Sequence, residues 1–216
     1  MSHITLIRHG QANTEARDEE SYDKLSSLGH QQAAWLGQHL RSTNAHHPRT
    51  YCGTLARHIE TASSMGLSDP VIDPRLNEIE YFNLARLLEE QHGIAIPEER
   101  EGFIEHLPRV FTAWRDGKID DAPESFTDFE TRVTSALTEI GQGQGPAIVV
   151  TSGGLIAMAM RQFLDLEIPA MARMALAVMN TSMHRLYPIG DHLSPVLFNA
   201  VPHLEHPDRH YAQTHL

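Results

Sequence analysis

The sequence predicts an α/β fold: a three-layer, mostly parallel mixed sheet flanked by helices, with a partial helical cap. Three observations predict it. Short runs of strand length stand at residues 4–7, 49–52 and 147–150, the first and last of them apolar. Stretches of helical periodicity separate them, and Gly- or Pro-bearing turns punctuate the junctions. Strands that alternate with helices fold as crossover units, because parallel neighbours cannot be joined by a tight hairpin.

In chain order, residues 4–7 are a β-prone run that ends abruptly at Arg8-His9-Gly10. Over 28–40, Leu28, Ala33, Leu36 and Leu40 recur at mostly helical spacing, with Gly29 near the start. Residues 49–52 suit a second strand and 54–65 a helix, closed by Gly66, the residue type that adopts the left-handed C-terminal position most cheaply. Residues 70–74 read as a brief extended piece between two prolines. The stretch 83–115 is helical in two parts, broken around 93–97, and 126–140 is a further amphipathic helix. After the turn Gln142-Gly143-Gln144-Gly145-Pro146, Ala147-Ile148-Val149-Val150 has the character of a strand buried on both faces. Thr151-Ser152-Gly153-Gly154 then leads into a helix over 155–164, and 178–187 and 196–201 read as late strands. Residues 83–140 carry few strand signals and are expected to form the cap within one domain spanning 1–216. No internal repeat stands out; the histidine-rich tail is the one compositional oddity.

The 216 residues carry a net charge of -11, from 28 acidic and 17 basic residues. Such a surface repels nucleic acid and anionic membranes, so neither is expected as a partner. The single Cys52 cannot form an internal disulfide, which suits a reducing compartment. The first ten residues lack the basic and apolar regions of a signal peptide. No apolar run approaches the roughly 18 residues of a membrane span. The expectation is a cytoplasmic protein; oligomeric state is not legible.

Chemistry concentrates where the first strand meets Arg8-His9-Gly10. Carboxyl ends of strands face the ligand crevice in open α/β sheets. A phosphate there needs cationic donors and a closely approaching backbone, which Gly10 permits. An imidazole beside a guanidinium is a competent nucleophile toward phosphorus, because the arginine disfavours the protonated ring and neutralises the incoming dianion. Arg57 falls in the first turn of the helix after the second strand, where free amides favour anions. Taken singly, Arg8-His9-Gly10 is also compatible with an exposed turn and Arg57 with a solvated helix face.

Taken together, Arg8-His9-Gly10, Leu55-Ala56-Arg57 with Thr61-Ala62, Arg75-Leu76-Asn77-Glu78-Ile79, Val149-Val150-Thr151-Ser152-Gly153-Gly154 and Asn180-Thr181-Ser182 resemble, in order, the histidine phosphatase (phosphoglycerate-mutase-like) superfamily. The resemblance implies a phosphomonoester hydrolase that forms a phosphohistidine on His9. Arg8, Gly10, Arg57, Ser152 and Gly153 would bind phosphate, and Glu78 would be the general acid and base. Glu80 is its rival, since side chains two apart in an extended segment point the same way. The chemistry needs no metal or organic cofactor, and its substrate would be a small phosphorylated metabolite or a phosphoprotein. A mutase, or a phospho-ligand binding protein that has lost turnover, are the alternatives.

The pattern breaks at Ser152, which stands where the family has a second histidine. Its hydroxyl donates a hydrogen bond but brings no charge. The amides near Gly153 and Gly154 could still bind a phosphate oxygen. Smaller departures are Gln11-Ala12, Glu15 and Gly53-Thr54. His203, His206 and His210 have spacings that could hold zinc on a helix, but Pro207 interrupts that helix. His46-His47 reads as a solvated loop, and His184 as a satisfied strand histidine.

Overall fold

The computed structural model describes residues 2–13, 16 and 18–215. Its strands are β1 (Ile4–Arg8), β2 (Arg49–Cys52), β3 (Val71–Ile72), β4 (Ala147–Thr151), β5 (Met183–Ile189) and β6 (His192–Ala200). They form one six-stranded sheet in the order β3-β2-β4-β1-β5-β6. Pairings among the first four strands are parallel, and β5 runs antiparallel to both β1 and β6. Every residue of β1 and β4 is buried, as expected for strands covered on both faces.

The two faces separate with the period of two that a strand imposes. Ile7, Ile148 and Val150 pack with α2 (Ser27–Ser42) and α3 (Ala56–Met65) through Ala33, Leu36, Ala62 and Met65. Ile4, Leu6, Ala147 and Val149 face the larger core, built with α4 (Tyr81–His92), α5 (Phe103–Arg115), α6 (Phe126–Gln142), α7 (Gly153–Leu164) and α8 (Ile168–Ala177). A short helix, α1 (Glu19–Tyr22), lies in the connection after β1.

Local chemistry explains the boundaries. Ser26 Oγ accepts the Gly29 N–H at the start of α2, and Ser125 Oγ accepts the Asp128 N–H at the start of α6. Gly66 closes α3 with φ of 75°, as the sequence predicts. The chain after β1 crosses the first turn of α2 backbone to backbone. A methyl group on Gly10 would stand 2.4 Å from the Gly29 carbonyl oxygen, and one on Gly29 would stand 2.1 Å from that of Gln11. Both positions therefore require glycine.

The late elements differ from the sequence reading. Helix α8 occupies 168–177, a stretch whose apolar residues show no polar face to mark its period; Met171, Ala172 and Ala175 are buried. Residues 178–182 are a turn rather than the start of a strand. Thr181 there has φ of 57°, and its N–H reaches back to the carbonyls of Arg8 and His9. Within 83–140, α6 packs directly on β1 and beside α7, while α4 packs on α5 and α5 on α8. The tail folds back onto α2, where Gln32 Nε2 donates to Ala212 O and Thr214 Oγ1. Among the described residues, no helix is long and apolar enough to cross a membrane. Glu15 lies outside the described residues.

Two buried histidines give stability a pH dependence. Burial, then the charge on Arg8, lowers His184 to about 3; burial, then His39 and Arg209, lowers His203 to about 3. In the unfolded chain both titrate near 6.5, at roughly the ordinary value. Below that pH the unfolded state binds protons that the folded state refuses, so stability falls as pH falls toward about 3. Each histidine contributes a slope of about 1.4 kcal/mol per pH unit. His203→Gln keeps a donor for Thr181 Oγ1, the present partner of His203 Nε2. Its unfolding free energy should decline less steeply than that of the wild type between about pH 6 and 4, by about that slope. Parallel curves would contradict a neutral buried His203.

Candidate active site

The pairing of β1, β4 and β2 brings their carboxyl ends together. Arg8 stands opposite Thr151, and Cys52 opposite Val150. Beyond the strands the ladder continues for one residue: His9 N–H donates to Thr151 O at 2.8 Å, and Gly53 N–H to Val150 O at 3.3 Å. Residues 8–10, 53–57 and 152–154 are thereby forced into one place.

His9 is buried. Its Nδ1 lies 2.7 Å from the carbonyl oxygen of Gly10. A carbonyl only accepts, so Nδ1 carries the proton and Nε2 keeps its lone pair. Burial, then Arg57 and Arg8, then His58 hold the ring well below the usual histidine range, against the opposing pull of the Gly10 carbonyl. The ring is thus a neutral imidazole of fixed tautomer. Gly10 serves it through its carbonyl rather than through a free amide, because its N–H donates to Thr61 Oγ1 at 3.0 Å.

Both arginines are buried beside it. Arg8 donates to the Val178 carbonyl, and its Nε has no hydrogen-bond partner among the described residues. Gly153 lies against this guanidinium; a methyl group there would stand 3.6 Å from Arg8 Nε. Arg57 Nη1 donates to Asp23 Oδ1 at 3.0 Å, its guanidinium lies 5.0 Å from the centre of the Tyr22 ring, and its Nε is also unpartnered. Asp23 further accepts the N–H groups of Ala56 and Arg57. The amides at the start of α3, expected from the sequence to greet an anion, are therefore already occupied. Nothing in the spacing of Asp23 and Arg57 along the chain signals this pair.

Glu78 reaches the site from the segment after β3. Its carboxylate accepts the N–H of Gly154 at 2.8 Å and of Ile79 at 3.0 Å. The Gly154 amide is accordingly held by protein rather than left for phosphate. Glu80 is exposed and accepts from Asn83 Nδ2 at 2.6 Å. Glu19, which sequence reasoning missed, accepts the Phe82 N–H at 2.8 Å. Burial, then its neighbours Glu78 and Glu80, raise it to about 7 against the lowering effects of Phe82 and Arg57. A cleft of about 220 Å³ is lined by Glu78 together with Leu55, Glu80, Leu84, Trp114 and Arg132. His9 is not among its lining residues; the Tyr22 ring stands edge-on to His9 with ring centres 6.1 Å apart.

Ser152 is fully buried at the start of α7 and its hydroxyl lies 2.6 Å from His58 Nε2. His58 is a second buried histidine of the site, 5.8 Å from His9 between ring centres. Sequence reasoning passed over it, since a helix position beside Arg57 carries no sign of which way the ring turns. Asn180 Nδ2 donates to His9 O at 3.3 Å, fixing the late turn against His9. His184 bonds Ser182 Oγ and accepts the Asn199 N–H, as a satisfied histidine does. The tail histidines diverge. His203 is buried against Thr181, His206 pairs with Asp208, and His210 Nε2 lies 3.2 Å from Glu205 O. Among the described residues, no three His, Cys, Asp or Glu side chains converge to hold a metal ion.

This fold is shared with known proteins. A phosphoserine phosphatase variant from Entamoeba histolytica, solved with phosphoserine, has a TM-score of 0.70 at 18% identity, over 94% of this chain and all of that one. A phosphoglycerate mutase from Bacillus anthracis has a TM-score of 0.66 at 20% identity, over 94% of each chain. A mycobacterial glucosyl-3-phosphoglycerate phosphatase, complexed with VO3, has a TM-score of 0.64 at 23% identity, over 93% of this chain and all of that one. No curated protein sequence matches the chain. The model of the histidine phosphatase superfamily (branch 1) matches residues 4–201, and the chain belongs to that superfamily.

Proposed function

We propose that this chain is a phosphomonoester hydrolase that works through a phosphohistidine on His9. The observation that carries the reading is a buried, neutral imidazole whose Nδ1–H is pinned by Gly10 O, beside two buried guanidiniums. The Nε2 lone pair bonds to phosphorus as the ester P–O bond breaks, and the leaving oxygen takes a proton from Glu78. Arg8 and Arg57 meet the charge on the transferring group, and their unpartnered Nε atoms are donors held in reserve for it. The Gly10 carbonyl supports the phosphorylated ring through Nδ1–H. Water then attacks phosphorus, gives its proton to Glu78 and displaces the His9 nitrogen, which regains its lone pair.

The substrate is a small phosphorylated metabolite, as with the phosphoserine bound by the Entamoeba relative. Its alcohol would lie toward the cleft beside Glu78. One observation favours the second reading, a mutase: His9 is buried, with Tyr22 packed edge-on beside it, and such enclosure would keep water from a phosphoenzyme. Assaying 3-phosphoglycerate isomerisation alongside release of inorganic phosphate separates the two.

His9→Ala should abolish turnover with the fold intact, and rapid quenching of the wild type should trap acid-labile, base-stable phosphate; an active variant would exclude the mechanism. Arg57→Lys keeps the charge but loses the planar fork, and should lower kcat/KM by at least about tenfold, or roughly 1.4 kcal/mol. Equal rates would place Arg57 outside the phosphate pocket. A missing general acid hurts most when the leaving group is poor, so Glu78→Gln should slow an alkyl phosphate far more than p-nitrophenyl phosphate. If Glu19→Gln or Glu80→Gln shows that selective loss instead, the acid is one of those carboxylates.

A further inference from the structure

His58 has no part in the steps above, yet it is among the most enclosed polar side chains of the protein. Its ring fills the space left by Gly53, where even a methyl group would stand 2.3 Å from His58 Nδ1. Burial, then the charge on Arg57, hold it well below the usual histidine range, so the ring is neutral and offers one donor and one acceptor. Nε2 lies 2.6 Å from Ser152 Oγ, and Nδ1 has no hydrogen-bond partner among the described residues.

Which nitrogen holds the proton follows from the cost of burial. An orphaned buried N–H is rarer than an under-used acceptor, because each desolvated group left unpaired costs free energy and an N–H has only one bond to give. The proton therefore sits on Nε2 and Nδ1 is the bare lone pair. Nε2–H then donates to Ser152 Oγ. A serine hydroxyl that accepts from this side keeps its own hydrogen for another acceptor. Ser152 follows Thr151, whose carbonyl accepts the His9 N–H, and the His58 ring lies 5.8 Å from that of His9, so the serine–imidazole pair lies beside His9.

We propose that His58 is a positioning residue of the phosphoryl-transfer site: its Nε2–H, donated to Ser152 Oγ, turns the serine hydroxyl to donate to a phosphoryl oxygen beside His9. The inference rests on the phosphohistidine reading and adds a donor pair to it. The oxygen side of the transferring group is then met by two charged donors, Arg8 and Arg57, and by one neutral hydroxyl held in place by an imidazole. No proton moves along the pair. It is an orienting device, and its removal should cost rate rather than reshape the pH profile.

Asparagine and glutamine distinguish the ring nitrogens: the glutamine amide reaches about as far as Nε2, the asparagine amide only as far as Nδ1. Turnover of a phosphomonoester should fall about tenfold in His58→Asn, as for loss of one hydrogen bond in the transition state. His58→Gln should stay within about threefold of the wild type. Ser152→Ala should lose about the same factor as His58→Asn, and the double variant His58→Asn/Ser152→Ala no more than either alone, since both break one unit. The pH profile of kcat should keep its shape throughout, and thermal unfolding measured beside each assay sets aside loss of fold. Equal rates for Asn and Gln, or multiplying losses in the double variant, would overturn the proposal. Trapped phosphate on His9 in the wild type distinguishes that failure from failure of the phosphohistidine reading, since the phosphoenzyme stands whether or not His58 matters.

Discussion

The parallel pairing of β1 with β4, carried one residue past the strands by the bond from His9 N–H to Thr151 O, is the constraint on which the candidate site depends. It sets His9 and the start of α7 side by side at the carboxyl ends of the two central strands. The crossing of Gly10 and Gly29 fixes where the chain goes next, and the carbonyl it leaves at Gly10 selects the His9 tautomer. A shift of one residue in this register would send His9 to the other face of the sheet. The buried apolar run of β4 holds the register, because slippage would also exchange which side chains enter which core.

Electrostatics supplies the second requirement. Burying two guanidiniums in one small volume is costly unless each is paired. Asp23 pairs with Arg57, and the Val178 carbonyl takes Arg8, while both imidazoles nearby remain neutral. The pairing is incomplete: an Nε on each arginine is unused. A buried donor without an acceptor is destabilising in the free protein and is relieved by an anion that accepts from it. On the proposed reading, stability withheld in this way becomes affinity for a phosphoryl group. On a chain with a net charge of -11, such local positive charge also concentrates anions where they are needed.

Much of this was legible in the sequence. The runs at 4–7 and 147–150, the helix closed by Gly66 and the order of Arg8-His9-Gly10, Arg57 and Glu78 each rest on local patterns that folding preserved. What was illegible has physical reasons. Helix α8 lacks a polar face, so its period is hidden. Residues 178–182 have strand composition, but Thr181 takes a left-handed turn because the carbonyls of Arg8 and His9 claim its N–H. Asp23 and Glu19 enter the site from the loop after β1, where composition records neither the partner nor the depth of burial. Gly10 has a reason for its small size that the sequence does not display, the close crossing with α2. His58 stood in plain view beside Arg57, and only the turn of its ring toward Ser152 gives it meaning.

The central claim is a neutral His9 with its proton on Nδ1 and a free lone pair on Nε2. Nitrogen-15 NMR of the His9 imidazole in the ligand-free protein, followed through a pH titration, reads both properties directly. Nδ1 should give the signal of a protonated nitrogen and Nε2 that of a bare one, with no change between roughly pH 7.5 and 5.5, where an ordinary histidine would titrate. A proton found on Nε2, or a midpoint near 6.5, at roughly the unperturbed value, would contradict it.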